Sequence, residues 1–178
     1  MKLSIPYLLI FLFIIFSSFS FINDWYVFEN DTLTINFPEK PTINNQMVES
    51  SFGTLNMKTV FFEPNDPSTN VYLYGLMTSE YPDSLINSNK KEIQTVFFKN
   101  SIDGSVKNLK GRLLTESEIS LDGYPGRQVK IDYGNGQAFI NMKLYLVQNK
   151  YIILQVIEPT NSTDSTNKIN FFNSIKLK

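Results

Sequence analysis

The sequence predicts an α+β fold in which an antiparallel β-sheet is flanked by helices. Most of the chain consists of short segments in which apolar and polar residues alternate, separated by Gly, Asn and Pro turns. This pattern is typical of antiparallel strands that bury one face. One segment after Pro82 changes to a helical period, and a second helical stripe lies near the C-terminus. The 15 Phe and nine Tyr residues supply a core in a chain without cysteine.

The first third of the chain is predicted to form strands. Residues 24–29 and 33–37 alternate around the turn Asn30-Asp31, and Pro38 with Pro41 ends the second strand because proline cannot donate a ladder hydrogen bond. The same criteria predict further strands at residues 47–51, 55–62 and 70–78.

A helix is predicted over residues 84–103. Asp83 or Ser84 can cap its start, and Gly104 can end it. Four apolar residues share one face of this helix because they are spaced by seven, three and one positions: Ile86, Ile93, Val96 and Phe97.

The second half of the chain has the clearest strand pattern. Strands are predicted at residues 115–121, 127–133, 138–147 and 151–157, and Gly134-Asn135-Gly136 predicts a tight hairpin because primed turns need positive φ. A closing helix is predicted from the stripe Ile169, Phe172 and Ile175, which would cover the sheet.

The first 22 residues are typical of a secretory signal. Lys2 precedes an apolar core at residues 7–16, and its ten residues fit the usual length of about 7–15. Small residues at Ser18 and Ser20 favour cleavage after Ser20 and export from the cytosol. This apolar core is predicted to form a hydrophobic signal helix, and it contains Leu8, Phe11 and Ile15.

An alternative is that residues 3–22 are retained as a membrane anchor, since a spanning helix needs about 20 apolar residues. Pro6 and the serines at the end of this stretch favour cleavage. The predicted organisation is therefore a signal or anchor at residues 1–22, followed by a single α+β domain at residues 23–178. No cysteine follows the apolar core, which excludes attachment of lipid to a cysteine after signal removal.

Composition excludes several functions. The chain has no histidine and no cysteine, which removes the usual nucleophile–base pairs and soft metal ligands, so no catalytic residue, metal or cofactor is predicted. With 16 basic and 17 acidic residues, the chain lacks the positive charge typical of nucleic-acid binding. Ser88 and Lys91 could form a Ser–Lys dyad, but their place on the polar side of the predicted helix disfavours it.

Three carboxylates are spaced by even numbers of positions, so they can lie on one side of an extended segment: Glu116, Glu118 and Asp122. A calcium ion needs six to eight oxygen ligands from a folded-back loop, which this pattern does not predict. A solvated strand is therefore the favoured interpretation. Asn30 and Asn161 begin N-glycosylation patterns that are relevant only in a eukaryotic secretory route.

The turn at residues 121–127 is the most distinctive cluster in the sequence. Tyr124 and Arg127 are candidate partner-contact residues, because an aromatic ring with an arginine is a common interface anchor. The alternative is that Gly123, Pro125 and Gly126 set the turn while Arg127 pairs with a nearby carboxylate. Turn chemistry explains the glycines and the proline without a ligand, which favours this alternative.

Several segments together resemble a known family. They are Phe37-Pro38 with Lys40-Pro41, EISLDGYPGRQVKI at residues 118–131, KLYLVQNKYIILQV at residues 143–156, and FFNSIKL at residues 171–177. With these motifs the chain resembles the PsbP-like α/β/α superfamily of exported domains, which includes the DcrB-like proteins. The resemblance implies a central antiparallel sheet with helices on its faces. It also implies a non-catalytic role in the assembly or stabilisation of larger complexes. The chain differs from DcrB-like lipoproteins because it has no cysteine to carry a lipid.

We therefore expect an exported protein that recognises a protein partner through its surface, with possible membrane association through its N-terminal segment. The alternative is a carrier that holds an apolar ligand between sheet and helices, which would need an apolar cavity of about 300 Å³ or more. A hydrolase would instead need a lysine or carboxylate buried in a cleft. The carrier alternative comes from the aromatic residues Phe61, Phe62, Tyr72, Tyr74, Phe97, Phe98, Phe171 and Phe172.

Overall fold

The structure is a computed structural model that describes residues 25–50, 53–66, 70–162 and 165–178. The predicted signal or anchor, with Leu8, Phe11 and Ile15, lies outside the described residues. Within the described ranges, neither helix has both the length and the apolar character needed to cross a bilayer.

The described residues form two antiparallel sheets and two helices. In chain order the elements are β1 (Tyr26–Glu29), β2 (Leu33–Phe37), β3 (Thr42–Ser50), β4 (Gly53–Phe62), β5 (Leu73–Glu80), α1 (Lys91–Leu109), β6 (Arg112–Leu121), β7 (Tyr124–Tyr133), β8 (Ala138–Val147), β9 (Lys150–Pro159), α2 (Thr166–Asn173) and β10 (Lys176–Leu177). The large sheet has seven strands in the order β3-β4-β5-β9-β8-β7-β6, and the small sheet has three in the order β1-β2-β10.

Turn residues set the hairpins as the sequence predicted. Gly134, Asn135 and Gly136 have φ values of 65°, 54° and 90°, which confirms the positive φ expected between β7 and β8. Asp132 stabilises this turn, since its Oδ1 accepts a hydrogen bond from the backbone N–H of Gly136 at 2.7 Å. The Asn30 side chain similarly accepts backbone hydrogen bonds across the β1–β2 turn.

The large sheet is the middle layer of the molecule, because both of its faces are covered along β8 and β9. On one face, Phe98 and Ile102 of α1 pack in a core cluster with Ile131, Ile140 and Leu144. Alternate residues of β8 share this face of the sheet, and five of them are buried: Ala138, Ile140, Met142, Leu144 and Leu146.

The opposite face is covered by the small sheet together with α2. Phe171 of α2 lies between Phe37 of the small sheet and Tyr74 of the large sheet, with ring centres 5.2 Å and 5.3 Å away. Leu154 and Val156 of β9 are fully buried beneath this layer. A helix therefore lies on each face of the large sheet, and on the second face a small sheet, which the sequence did not predict, lies beside the short helix α2.

The first helix begins and ends later than predicted. Leu85 and Ile86 donate backbone hydrogen bonds to Pro82, so a single turn does form there. The chain then leaves the helical path because Ser88 exchanges hydrogen bonds with Gln148 across the β8–β9 turn. Helix α1 passes through Gly104 and ends at Leu109, and the residue that caps it, Lys110, has a left-handed φ of 49°.

Other boundaries also differ from prediction. Strand β3 begins at Thr42, five residues before the predicted start, because it pairs with β4 along its whole length. In the closing helix Ile169 was predicted to face the core, but it is 49% exposed. Phe171 is buried instead. The predicted stripe was partly wrong since α2 ends at Asn173, and the buried Ile175 follows it in non-helical chain.

Gly126 and Gly104 provide a matched pair of tests of this packing. A Cβ atom at Gly126 would lie 2.6 Å from both the Leu144 carbonyl oxygen and Tyr145 Cδ1, whereas one at Gly104 would meet nothing within 4 Å. We expect Gly126→Ala to lower the free energy of unfolding by about 1–3 kcal/mol through overpacking. Gly104→Ala, inside a helix, should raise it by about 0.5–1 kcal/mol. Urea unfolding measures both, and equal effects would contradict this placement of β7 against β8.

The buried hydroxyl of Tyr145 makes the free energy of unfolding depend on pH in the alkaline range. Burial raises the pKa of Tyr145 from 10.0 to about 12. The unfolded chain therefore loses this proton first, so the stability present below pH 10 falls as the pH rises toward 12. We expect Tyr145→Phe to reduce the loss of unfolding free energy between pH 9 and pH 11, measured by urea unfolding. Tyr133→Phe, which removes an exposed hydroxyl, is the control, and an identical pH slope in both variants would count against the prediction.

Candidate functional site

The structure places the two candidate partner-contact residues on opposite faces of β7. Tyr124 is half-buried and packs against the core cluster under the small sheet. Arg127 lies on the α1 side, where its side chain is only 13% exposed and its guanidinium is 5.0 Å from the ring centre of Phe98. The two side chains therefore do not form one exposed tip, and a role of this turn in partner contact stays a prediction.

Arg127 forms ion pairs with Glu116 and Glu118, two of the three carboxylates that the sequence analysis weighed as a calcium site. Its Nη2 lies 3.0 Å from Glu118 Oε1, and its Nε lies 3.5 Å from Glu116 Oε1. These glutamates thus neutralise a guanidinium. Asp122 lies in the turn itself, with a φ of 49°.

Ser88 and Lys91, the Ser–Lys pair that the sequence disfavoured as a dyad, do not lie in one helix. Ser88 precedes α1 and is buried, and its Oγ accepts a hydrogen bond from the backbone N–H of Gln148 at 3.1 Å. Lys91 is the exposed first residue of α1. Ser88 therefore anchors the segment before α1 to the β8–β9 turn.

The two edges of the large sheet differ in chemistry. Strand β6, at one edge, carries Glu116 and Glu118 in ion pairs and has a register shift between Leu113 and Thr115. Charges and bulges of this kind prevent edge strands from pairing with other chains. The edge formed by β6 is therefore protected.

Strand β3, at the other edge, lacks these protections. It pairs with β4 over nine residues in regular register, and in the described part of the chain nothing pairs with its outer side. Glu49 is its single charged residue, while Ile43 and Met47 are 51% and 69% exposed. A long, nearly uncharged and regular edge can pair its backbone N–H and C=O groups with an extended segment of another protein.

An apolar groove lies on the same half of the sheet, beyond the area that α1 covers. Its volume is about 220 Å³, and its apolar walls come from Phe61, Leu73, Met77 and Ile153. The paired rings Phe61 and Phe62 point to opposite faces, as expected for neighbours on a strand: Phe61 lines this groove and Phe62 stacks on Tyr74.

A buried ion pair was missed by the sequence reasoning. Glu158 lies near the end of β9, after the apolar part of the strand, and is 3% exposed. Its Oε1 lies 2.5 Å from Lys168 Nζ and 2.9 Å from Asn141 Nδ2. Its Oε2 has no hydrogen-bond partner among the described residues. A carboxylate directly after an apolar strand was the available signal. The pair joins α2 to the large sheet.

Comparison of the chain with protein-family models and with curated proteins gives no match. The functional interpretation therefore rests on the geometry of these surfaces.

The buried pair gives a direct stability test. Lys168→Met leaves the Glu158 carboxylate buried without a counter-charge, so we expect a loss of about 3 kcal/mol in the free energy of unfolding. Lys99→Met, which breaks an exposed ion pair with Asp103 on α1, should cost much less, because water and salt screen an ion pair at the surface. Urea unfolding compares the two variants. Adding Glu158→Gln to Lys168→Met should restore part of the loss, and equal losses in both single variants would contradict a buried pair.

Proposed function

We propose that this protein is an exported, non-catalytic binding protein that recognises a protein partner through the outer edge of β3. The observation that carries the proposal is the nine-residue, nearly uncharged edge of this strand. An extended segment of the partner would add an eighth strand to the large sheet, and its backbone would pair with the outward-facing N–H and C=O groups along Thr42–Glu49 of β3.

The side chains of β3 support this mode of binding. Ile43 and Met47 are four positions apart and therefore lie on the same face of the strand. Asn45 lies between them and is also exposed. A partner strand would bury the two apolar side chains while its backbone makes the main-chain hydrogen bonds. Main-chain pairing supplies affinity, and these side-chain positions supply specificity.

The finer fold assignment is part of the same proposal. A PsbP-like α/β/α sandwich is compatible with a central antiparallel sheet that has α1 on one face and α2 with the small sheet on the other. The proposed role is to help assemble or stabilise an envelope or membrane complex. Export by a signal at residues 1–22, cleaved near Ser20 or retained as an anchor, would bring the protein to that location.

The carrier function considered from the sequence receives no support from the apolar groove. Its volume of about 220 Å³ is smaller than the ~300 Å³ typical of the smallest ligand pockets. Five of the eight aromatic residues that suggested a carrier are buried in the core: Tyr74, Phe97, Phe98, Phe171 and Phe172.

Site-specific crosslinking tests the β3 proposal in the cells that produce the protein. A photo-crosslinking amino acid at Met47 should capture a defined protein from the envelope or membrane fraction. The same probe at Val96, an exposed apolar residue on α1, is the matched control. Ile43→Lys should reduce the capture at Met47 by about tenfold or more, because charge on an edge strand opposes pairing.

Folding is checked by urea unfolding, since a substitution at an exposed position should change the free energy of unfolding by about 0.5 kcal/mol or less. Capture of the same proteins from Met47 and Val96, or capture at Met47 that is unchanged by Ile43→Lys, would reject the proposed edge.

A further inference from the structure

A second groove, independent of β3, lies beside α2 over strands β6, β7 and β8. Its volume is about 350 Å³, and three lysines line it: Lys130 of β7, Lys143 of β8 and Lys168 of α2. All three are half-buried. We call this surface the lysine groove. Its remaining polar lining comes from Thr115, Gln128, Asn141 and Asn173.

One of the three positive charges is neutralised within the protein. Lys168 pairs with the buried Glu158, which also accepts a hydrogen bond from Asn141. This pairing fixes the position of two groove-lining side chains. It leaves the positive charges of Lys130 and Lys143 without an equivalent counter-charge.

The other two lysines contact uncharged groups. The Nζ atom of Lys143 lies 3.5 Å from Asn173 Oδ1 and 5.4 Å from the ring centre of Phe172. The Nζ atom of Lys130 lies 3.6 Å from the ring centre of Phe139. Within the described ranges neither lysine forms a salt bridge with a carboxylate. Burial also lowers the pKa of Lys143, because desolvation disfavours its charged form.

Strand register holds these two charges on one face of the sheet. Lys130 is directly opposite Asn141, and Lys143 is directly opposite Gln128, so the two lysines are diagonal neighbours across β7 and β8. The long side chains of diagonal neighbours can reach the same point above the sheet. An anion in the lysine groove would therefore be attracted by both ammonium groups.

We propose that the lysine groove binds the phosphate group of a phosphate monoester or of inorganic phosphate. Such a group carries a charge of about −1.5 to −2 at pH 7, which matches the two uncompensated ammonium groups. Lysine binds phosphate as a point charge, and the amide groups of Gln128 and Asn173 supply further donors. Phe172 and Ile169 provide an apolar wall for the organic part of a monoester.

Calorimetric titration of the full chain with inorganic phosphate at pH 7 tests the proposal. We expect saturable binding at one site. Lys143→Gln should weaken the binding by about tenfold or more, because a charge-assisted contact is lost. Lys107→Gln, which removes an exposed lysine from the last turn of α1, is the matched control and should bind within about twofold of the unaltered protein. Acetate, with a single charge, should bind at least about tenfold more weakly than phosphate.

Lys130→Gln is a second variant, which keeps the test decisive if Lys143→Gln does not fold. It should weaken phosphate binding in the same direction. Absence of saturable phosphate binding by the unaltered protein overturns the proposal. Unchanged binding in the folded lysine groove variants, or equal binding of acetate, also overturns it.

Vesicles distinguish the source of the phosphate group. Cosedimentation with phosphatidic acid vesicles but not phosphatidylcholine vesicles, lost in Lys143→Gln, would assign the site to a lipid headgroup. Phosphate binding without vesicle binding would assign it to a soluble phosphate compound. Vesicle binding that persists in Lys143→Gln, with no binding of free phosphate, contradicts the lysine groove as the site.

Discussion

The pairing of β5 with β9 holds the two halves of the large sheet together, and the layers on both faces pack on the sheet that results. Eight cross-strand pairs, from Leu73 opposite Ile157 to Glu80 opposite Lys150, join the strands before α1 to the strands after it. Without this pairing the large sheet would divide into two separate antiparallel units, β3-β4-β5 and β9-β8-β7-β6. With it, β9 becomes a central strand whose Leu154 and Val156 are fully buried. Such distant pairing costs chain entropy, which the burial of a central strand offsets.

Uneven coverage of this one sheet creates the two proposed binding surfaces. Helix α1 covers the face over β7, β8 and β9, while the small sheet and α2 cover the opposite face over β4, β5, β8 and β9. Within the part of the chain that the structure describes, the edge of β3 is open at one end of the strand order, and the lysine groove lies over β6, β7 and β8 at the other. Because they are at opposite ends, a partner strand and a phosphate group would not compete for space.

The polar groups that organise these surfaces were only partly predictable. The pairing of Arg127 with a nearby carboxylate was one of two alternatives in the sequence, since Glu116 and Glu118 are close in the chain. The Glu158–Lys168 pair joins β9 to α2, and the lysine groove also needs residues of β7 and β8. Spacing along the chain cannot show that side chains from separate elements meet, because this depends on strand order and register.

Features that depend on neighbouring residues could be predicted from local patterns in the sequence. Alternation identified most strands, and Gly134-Asn135-Gly136 set a hairpin because glycine and asparagine tolerate positive φ. The start of α1 depends on a long-range contact, since Ser88 is held by Gln148 from a distant turn. Such contacts also place a small sheet beside α2 on one face and leave β3 at the edge of the large sheet among the described strands. These features follow from contacts between distant segments, which are chosen by the burial and hydrogen bonding of the whole fold and have no local pattern.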